Sequence, residues 1–111
     1  MISKELVAAS SRPLVLSILK EGESYGYEII QRVKSLSANE LTWTDGMLYP
    51  VLHRLEKEGL IRSEWKVADT GRNRKYYSLE RAGLRQLKEE QRQWLAVSDA
   101  LMAMWQPGPA R

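Results

Sequence analysis

The chain has 111 residues, a formal net charge of +3 and no cysteine. A chain of this length favours a single domain with a thin core, which gains buried surface when it dimerises. The lack of cysteine excludes disulfides, thiolate zinc sites and cysteine nucleophiles. No apolar run reaches the roughly 18 residues of a membrane span and no signal-peptide pattern is present, so the sequence predicts a cytoplasmic protein without membrane contact.

Two helices are predicted first from the spacing of apolar residues. The first covers about residues 6–20, and Pro13 either begins its main part or kinks a longer helix. The second begins near Ser24, a favourable N-cap, and ends in the polar residues 37–40. Its apolar face consists of Ile29, Ile30, Val33 and Leu36.

A third helix is predicted to begin near Thr42, because Thr42 and Asp45 have the spacing of a capping box. Gly59 supplies its C-terminal stop, and Pro50 is expected to disturb its early turns. The inward face, at helical spacing, consists of Leu48, Val51, Leu52 and Leu55.

The period then changes from helical to two, which predicts a β-hairpin. Residues 61–67 alternate in polarity, residues 69–71 form a turn, and residues 74–79 form a second strand. A last helix follows over about residues 80–105, with a heptad-like seam that includes two polar residues. The seam consists of Leu84, Leu87, Gln91, Trp94, Ser98, Leu101 and Trp105.

This order of elements predicts a mainly α fold with a small β-hairpin: a winged helix-turn-helix followed by a long dimerisation helix. We expect residues 1–79 to form the DNA-binding domain and residues 80–106 to form the dimerisation helix. The proline- and glycine-containing residues 107–111 are predicted to be a disordered tail.

The outward side of the third helix is the first candidate for DNA binding, because the second helix of a helix-turn-helix reads the major groove. Gly46 allows close approach of the backbone, and Tyr49 and Arg54 can reach phosphates. The alternative is an ordinary solvated helix face. The same surface and its tip also carry Asp45, Met47, His53 and Lys57.

The hairpin tip is the second candidate. Residues 71–75 contain three cations, Arg72, Arg74 and Lys75, and no acid, which suits the phosphate backbone or the minor groove. The alternative is a solubilising loop, but a position directly after a candidate recognition helix favours DNA binding.

Three motifs resemble the PadR family of transcriptional regulators. Residues 24–29 (SYGYEI) are similar to its second-helix signature, residues 46–61 (GMLYPVLHRLEKEGLI) to its recognition helix including the proline, and residues 71–79 (GRNRKYYSL) to its wing. The motifs occur in the family's order and spacing, and the resemblance covers roughly residues 5–105. On this basis the predicted DNA-contacting residues are Tyr27, Thr44, Asp45, Gly46, Met47, Tyr49, His53, Arg54, Arg72, Arg74 and Lys75.

The resemblance implies a homodimer that binds an inverted-repeat operator in double-stranded DNA and represses a nearby promoter. It also implies that the last helix packs against the partner's first and last helices. Two departures from the family are Glu80, where a capping threonine is usual, and Pro13, within a helix that is usually continuous. The predicted dimer-interface residues are Leu87, Gln91, Trp94, Leu101 and Trp105.

Trp94 is a candidate effector-binding residue. The compact PadR subfamily that this chain resembles includes multidrug-responsive repressors, which hold flat aromatic compounds at the dimer centre beside a tryptophan at this seam position. Two copies of Trp94 could stack on a planar ligand, with Met102 and Met104 as adaptable apolar walls. The alternative is plain interface packing. Trp43, Trp65 and Trp105 are predicted to be core or interface residues.

Catalysis is not expected. His53 is the only histidine and cannot build an ordinary zinc site without cysteine. No nucleophile triad or glycine-rich phosphate loop is recognisable. The sequence therefore predicts that the protein is not an enzyme and binds no metal or cofactor. A rival function is a winged-helix module that binds proteins and lacks specific DNA binding. The presence of Tyr49, Arg72 and Lys75 argues against this rival.

Overall fold

The computed structural model describes residues 1–106 and contains four helices and a three-stranded antiparallel sheet. The predicted tail, residues 107–111, lies outside the described residues. The elements are α1 (Lys4–Glu21), β1 (Ser24–Tyr25), α2 (Gly26–Leu36), α3 (Asp45–Lys57), β2 (Ile61–Val67), β3 (Asn73–Leu79) and α4 (Arg81–Trp105). The predicted mainly α fold with a small wing is therefore confirmed.

The core lies between the first three helices and is closed by the sheet and the start of α4. The predicted inward face of α3 is confirmed, since all four of its residues are buried. Leu36, predicted on the apolar face of α2, remains exposed. Among residues 1–106, no helix combines the length and apolarity that crossing a bilayer requires. The largest fully buried side chains are Leu16, Ile29, Leu48, Leu52, Leu55, Ile61 and Leu87.

Two predicted helix starts are wrong. Ser24 does not cap α2; it lies in β1 and donates its hydroxyl hydrogen bond to Glu28 Oε1 at 2.6 Å. Thr42 does not cap α3; Thr44 does, and its hydroxyl oxygen accepts from the Met47 N–H at 3.3 Å. In both cases a neighbouring residue takes the extended backbone that an N-cap requires, so the helix begins two or three residues later than predicted.

The sheet has one strand more than the predicted hairpin. The two residues of β1 pair with β3, with Ser24 opposite Tyr77 and Tyr25 opposite Tyr76. The strand order is β1-β3-β2. This pairing ties the start of α2 to the wing, and so fixes the wing relative to the helices.

Both internal prolines lie in continuous helices. Pro13 is in the middle of α1, which begins at Lys4 after the N-cap Ser3, so Pro13 does not start the helix. Its carbonyl accepts a hydrogen bond from the Ser17 hydroxyl at 2.6 Å. Pro50 lies in the second turn of α3, and the helix runs on to Lys57.

The turn after α3 sets the position of the wing and of α4. Gly59 has a φ of +77°, the left-handed conformation that ends the helix as predicted, and the Leu60 N–H donates to the Leu55 carbonyl at 3.0 Å. Gly83 in α4 packs directly against the Leu60 carbonyl, where a Cβ atom would overlap that oxygen. Glu80 precedes α4 without a side-chain cap, as expected for a poor capping residue, and its N–H donates to Leu60 instead.

Candidate nucleic-acid interface

The outward face of α3 is solvent-exposed. Asp45, Gly46, Tyr49, His53 and Arg54 are all exposed, as is the capping residue Thr44. Met47 is half-buried because it packs against the core, so only part of its side chain faces solvent. A Cβ atom on Gly46 would meet only the Thr44 hydroxyl, at 3.9 Å. The fold therefore does not require glycine at this position.

Tyr49 leans from α3 onto the start of α2. A Cβ atom on Gly26 would lie 2.7 Å from the Tyr49 hydroxyl oxygen, so the glycine leaves room for this ring. Tyr27, the next residue of α2, is exposed. The absence of a side chain at Gly26 thus lets two tyrosines from different helices share one surface.

The cations of the wing lie against aromatic rings. The Arg74 guanidinium lies 4.3 Å from the centroid of the Tyr25 ring, and Lys75 Nζ lies 5.8 Å from that of Tyr77. Tyr25 also meets Tyr76 edge-to-face, with centroids 5.4 Å apart. Such contacts restrict a long side chain without neutralising its charge. Arg72 lies in the exposed turn beyond the strands.

A cleft of about 660 Å³ lies between the start of α2, α3 and the wing. It brings together five of the predicted DNA-contacting residues and contains no acidic residue. Gly46, Met47 and Arg54 line a separate groove of about 430 Å³ against α1. The cleft is lined by Tyr25, Gly26, Tyr27, Tyr49, Trp65, Arg72, Asn73, Arg74, Lys75 and Tyr77.

The charges in the cleft are uncompensated. Within the part of the chain that the structure describes, Arg72, Arg74 and Lys75 form no ion pair with a carboxylate, whereas Lys66 on the same hairpin binds Glu23 at 2.7 Å. Burial raises the pKa of Tyr77 to about 12, with smaller contributions from Tyr49 and Glu56. The floor of the cleft is therefore neutral, and its edge is positive.

Five residues that line the cleft are not among the predicted DNA-contacting residues: Tyr25, Gly26, Trp65, Asn73 and Tyr77. Tyr25 lies in β1, whose two residues are too few to show a period, and Gly26 is the first residue of α2. Trp65, predicted to be core or interface, lies on β2 beyond the edge of the core and is not a core residue. The alternation of β2 does place Trp65 on the same face as the buried Ile61, but it does not show where the core ends. Trp43, by contrast, is buried as predicted.

The predicted dimer-interface residues divide into two groups along α4. Leu87 is fully buried in the core of its own chain, so its assignment to the interface is wrong. From Gln91 to Trp105 every residue of α4 is exposed. This outer half of α4, residues 91–105, carries Trp94, Leu95, Val97, Leu101, Met102, Met104 and Trp105.

Within residues 1–106, no cluster of three or more histidine, cysteine, aspartate or glutamate side chains has the arrangement of a metal site. His53 is exposed on α3 and lines neither of the two grooves described above.

Comparison with known proteins gives consistent matches. The model of the transcriptional regulator PadR-like family matches residues 15–89, more than half of the chain. A transcriptional regulator of Mycobacterium tuberculosis is 37% identical over 89 residues, which cover 80% of this chain and 79% of that protein.

Solved structures are similar over nearly the whole chain. A PadR-like transcriptional regulator from Bacillus cereus has a TM-score of 0.83 and 30% identity, covering 95% of this chain and 100% of that one. A transcriptional regulator from Clostridium thermocellum has a TM-score of 0.84 and 27% identity, and the match covers 96% of this chain and 100% of that one.

Proposed function

This chain belongs to the PadR-like family of transcriptional regulators, which are not enzymes, and on that premise we propose that it is a sequence-specific DNA-binding repressor that acts as a homodimer in the cytoplasm. The observation that carries the proposal is the cleft between α3 and the wing. Three uncompensated cations lie there beside the exposed face of a helix whose other face is anchored in the core.

We assign the exposed face of α3 to the major groove and the wing to the phosphate backbone. Tyr49 and His53 are exposed on α3 and available to base edges or phosphates, and Gly46 leaves the helix tip open to close approach. Arg72, Arg74 and Lys75 supply the positive charge that binds phosphates irrespective of sequence. Residues 1–79 then form the DNA-binding unit.

The outer half of α4 supports the proposed dimer. Its apolar side chains, Trp94 and Leu101 among them, form an extended exposed surface on a helix that projects from a molecule 63 Å long and 29 Å wide. A contiguous apolar surface of this kind on a small protein marks an association site. A second copy of the same helix is the occupant that we propose, because a twofold axis would bring the apolar residues of the two seams together. Residues 80–106 are thus assigned to dimerisation.

A twofold dimer predicts the form of the operator. Two α3 helices related by that axis enter successive major grooves about 34–36 Å apart, so the half-sites are inverted and one helical turn apart. Enrichment of binding sites from a pool of random duplexes tests this directly. We expect an inverted repeat bound by two chains; enrichment of no sequence would contradict the proposal and favour the rival protein-binding module.

We further propose that a planar aromatic molecule releases the repressor from DNA. Trp94 is 38% exposed on the outer half of α4, and across a dimer axis two indoles could stack on a flat ligand. Ligand binding there would change the angle between the two DNA-binding units, so that their α3 helices no longer match the spacing of the half-sites.

A titration with planar aromatic dyes tests the effector proposal. We expect saturating dye to lower operator affinity in the wild type, and Trp94→Ala to weaken dye binding. Trp65→Ala, which removes an exposed indole from the wing and leaves α4 unchanged, is the matched control for dye binding. Unchanged operator affinity at saturating dye, or equal dye binding by Trp94→Ala, would contradict the effector proposal.

A further inference from the structure

Trp65 is the large aromatic residue that the fold leaves exposed on the wing. Its side chain is 66% exposed although β2 is well paired along its whole length with β3. An indole on a regular strand costs solvation free energy when it faces water, since its burial would remove 150–250 Å² of mainly apolar surface. Contacts within the described chain leave most of this side chain open to water.

The face of the wing that carries Trp65 is turned towards α3. Side chains alternate along a strand, so Trp65 lies on the same face as Ser63. The Ser63 hydroxyl donates to Glu56 Oε2 of α3 at 2.6 Å, which fixes that face against the helix. Lys75 lies directly opposite Trp65 in the register, and both line the cleft. The indole therefore projects into the cleft beside a cation.

The chemistry of the cleft selects its occupant. Its rim holds three cations without a carboxylate, and its walls are aromatic. A DNA strand alternates anionic phosphates with apolar faces of deoxyribose, so it offers a partner to both kinds of group. An apolar protein surface would leave the cations unpaired, and an acidic one would leave the indole exposed.

We propose that Trp65 is a DNA-binding residue that packs on the deoxyribose of the strand whose phosphates Lys75 and Arg72 neutralise. This inference rests on the proposed DNA-binding function and extends its contact surface from cations to an apolar wall. Because every nucleotide carries the same sugar, the contact strengthens binding to any duplex and adds no sequence preference.

The proposal predicts a combination of effects that charge contacts do not produce. Replacing Trp65 by alanine removes apolar contact and no cation, so affinity falls about tenfold for operator and non-specific duplexes alike while the salt dependence keeps its slope. Replacing Lys75 instead lowers the slope by about one.

The experiment measures the affinity of the full chain for an operator duplex and a scrambled duplex over a series of salt concentrations. The variants are Trp65→Ala, Trp65→Tyr and, as matched control, Val67→Ala. Val67 lies on the same face of β2 and is 69% exposed, but it does not line the cleft. We expect the control to bind as the wild type does and the tyrosine variant to recover most of the loss. Thermal unfolding should be unchanged in all three, because these side chains are exposed.

Three outcomes would overturn the inference. Equal affinity of Trp65→Ala and the wild type would remove Trp65 from the interface and leave the proposed function intact. A loss confined to the operator would mean that the indole reads bases and does not pack on sugar. A wild type that binds neither duplex would refute the proposed function itself, and the inference with it.

Discussion

The inner and outer halves of α4 differ in how their apolar residues are satisfied. In the inner half, Leu87 is fully buried against the chain's own helices and Gly83 lies in direct contact with Leu60. In the outer half, residues 91–105, Trp94 and Leu101 belong to the same seam and are exposed. The inner half is thus packed by contacts within its own chain, whereas the outer half is the surface that we propose pairs with a second chain.

The largest expected effect comes from placing a charge on the outer half. Leu101→Asp puts a carboxylate on the proposed seam, where dimer formation would bury it at high cost. We expect a folded monomer whose operator affinity falls about 100-fold or more. In the dimer, binding of one DNA-binding domain holds the second close to its half-site at a high effective concentration, and a monomer loses this advantage. Light scattering gives the mass, and a binding titration gives the affinity.

Ala103→Asp is the matched control for this variant, because Ala103 is exposed and lies on the side of the helix opposite the seam. It should remain dimeric. A Leu101→Asp protein that stays dimeric would show that the two chains pair elsewhere.

The inner half predicts an effect on stability instead. A Cβ atom at Gly83 would overlap the Leu60 carbonyl oxygen and lie 2.6 Å from a methyl carbon of Leu79. We expect Gly83→Ala to lower the free energy of unfolding by about 1–3 kcal/mol, the usual cost of overpacking, as measured by denaturant titration. At Gly46 an added Cβ atom would make only an ordinary contact with the Thr44 hydroxyl, so Gly46→Ala should leave the free energy of unfolding within about 0.5 kcal/mol of the wild type while weakening DNA binding. Equal stability of the two variants would contradict the packing described for Gly83.

A smaller effect is expected on the wing. Lys75→Ala removes one proposed phosphate contact and should lower the salt slope of DNA binding by about one for every sequence. Lys88→Ala, an exposed lysine on the inner half of α4, serves as control and should leave the slope unchanged. An unchanged slope for Lys75→Ala would mean that this side chain does not reach the backbone.

The smallest effect is a loss of stability in alkali. Burial raises the pKa of Tyr77 from its ordinary 10.0 to about 12, so the folded state holds this proton more tightly than the unfolded state does. The resulting stability is complete below the unfolded pKa and declines as the pH rises towards about 12. Midway through that window the decline is on the order of 1 kcal/mol. Denaturant titrations of the wild type and Tyr77→Phe against pH should diverge there, and parallel curves would contradict the shift.

Regular elements could be predicted from the sequence because their apolar residues recur at a fixed spacing. The inward face of α3 and the extent of α4 follow from helical spacing over many residues, and Gly59 marks a backbone conformation that few other residues adopt. Helix starts were harder, since Thr42 and Thr44 are both good caps and only the path of the chain decides between them.

Non-local contacts account for the rest of the differences. The pairing of β1 with β3 and the stacking of Tyr25 on Arg74 join residues about fifty positions apart, which no local pattern records. Likewise, the seam of α4 shows which residues share a face, but not that Leu87 is already buried in the core of its own chain. The cations that line the cleft could be predicted to bind DNA from their residue type. The position of Trp65 in the cleft could not be predicted, because its exposure depends on where the core ends.

The most direct test of DNA recognition by the proposed dimer is the binding of the full chain to the DNA upstream of its own gene, titrated with salt and with non-specific competitor. We expect tight binding that survives competitor, depends steeply on salt and saturates at two chains per site. Weak binding that competitor removes equally from this and every other duplex would contradict it.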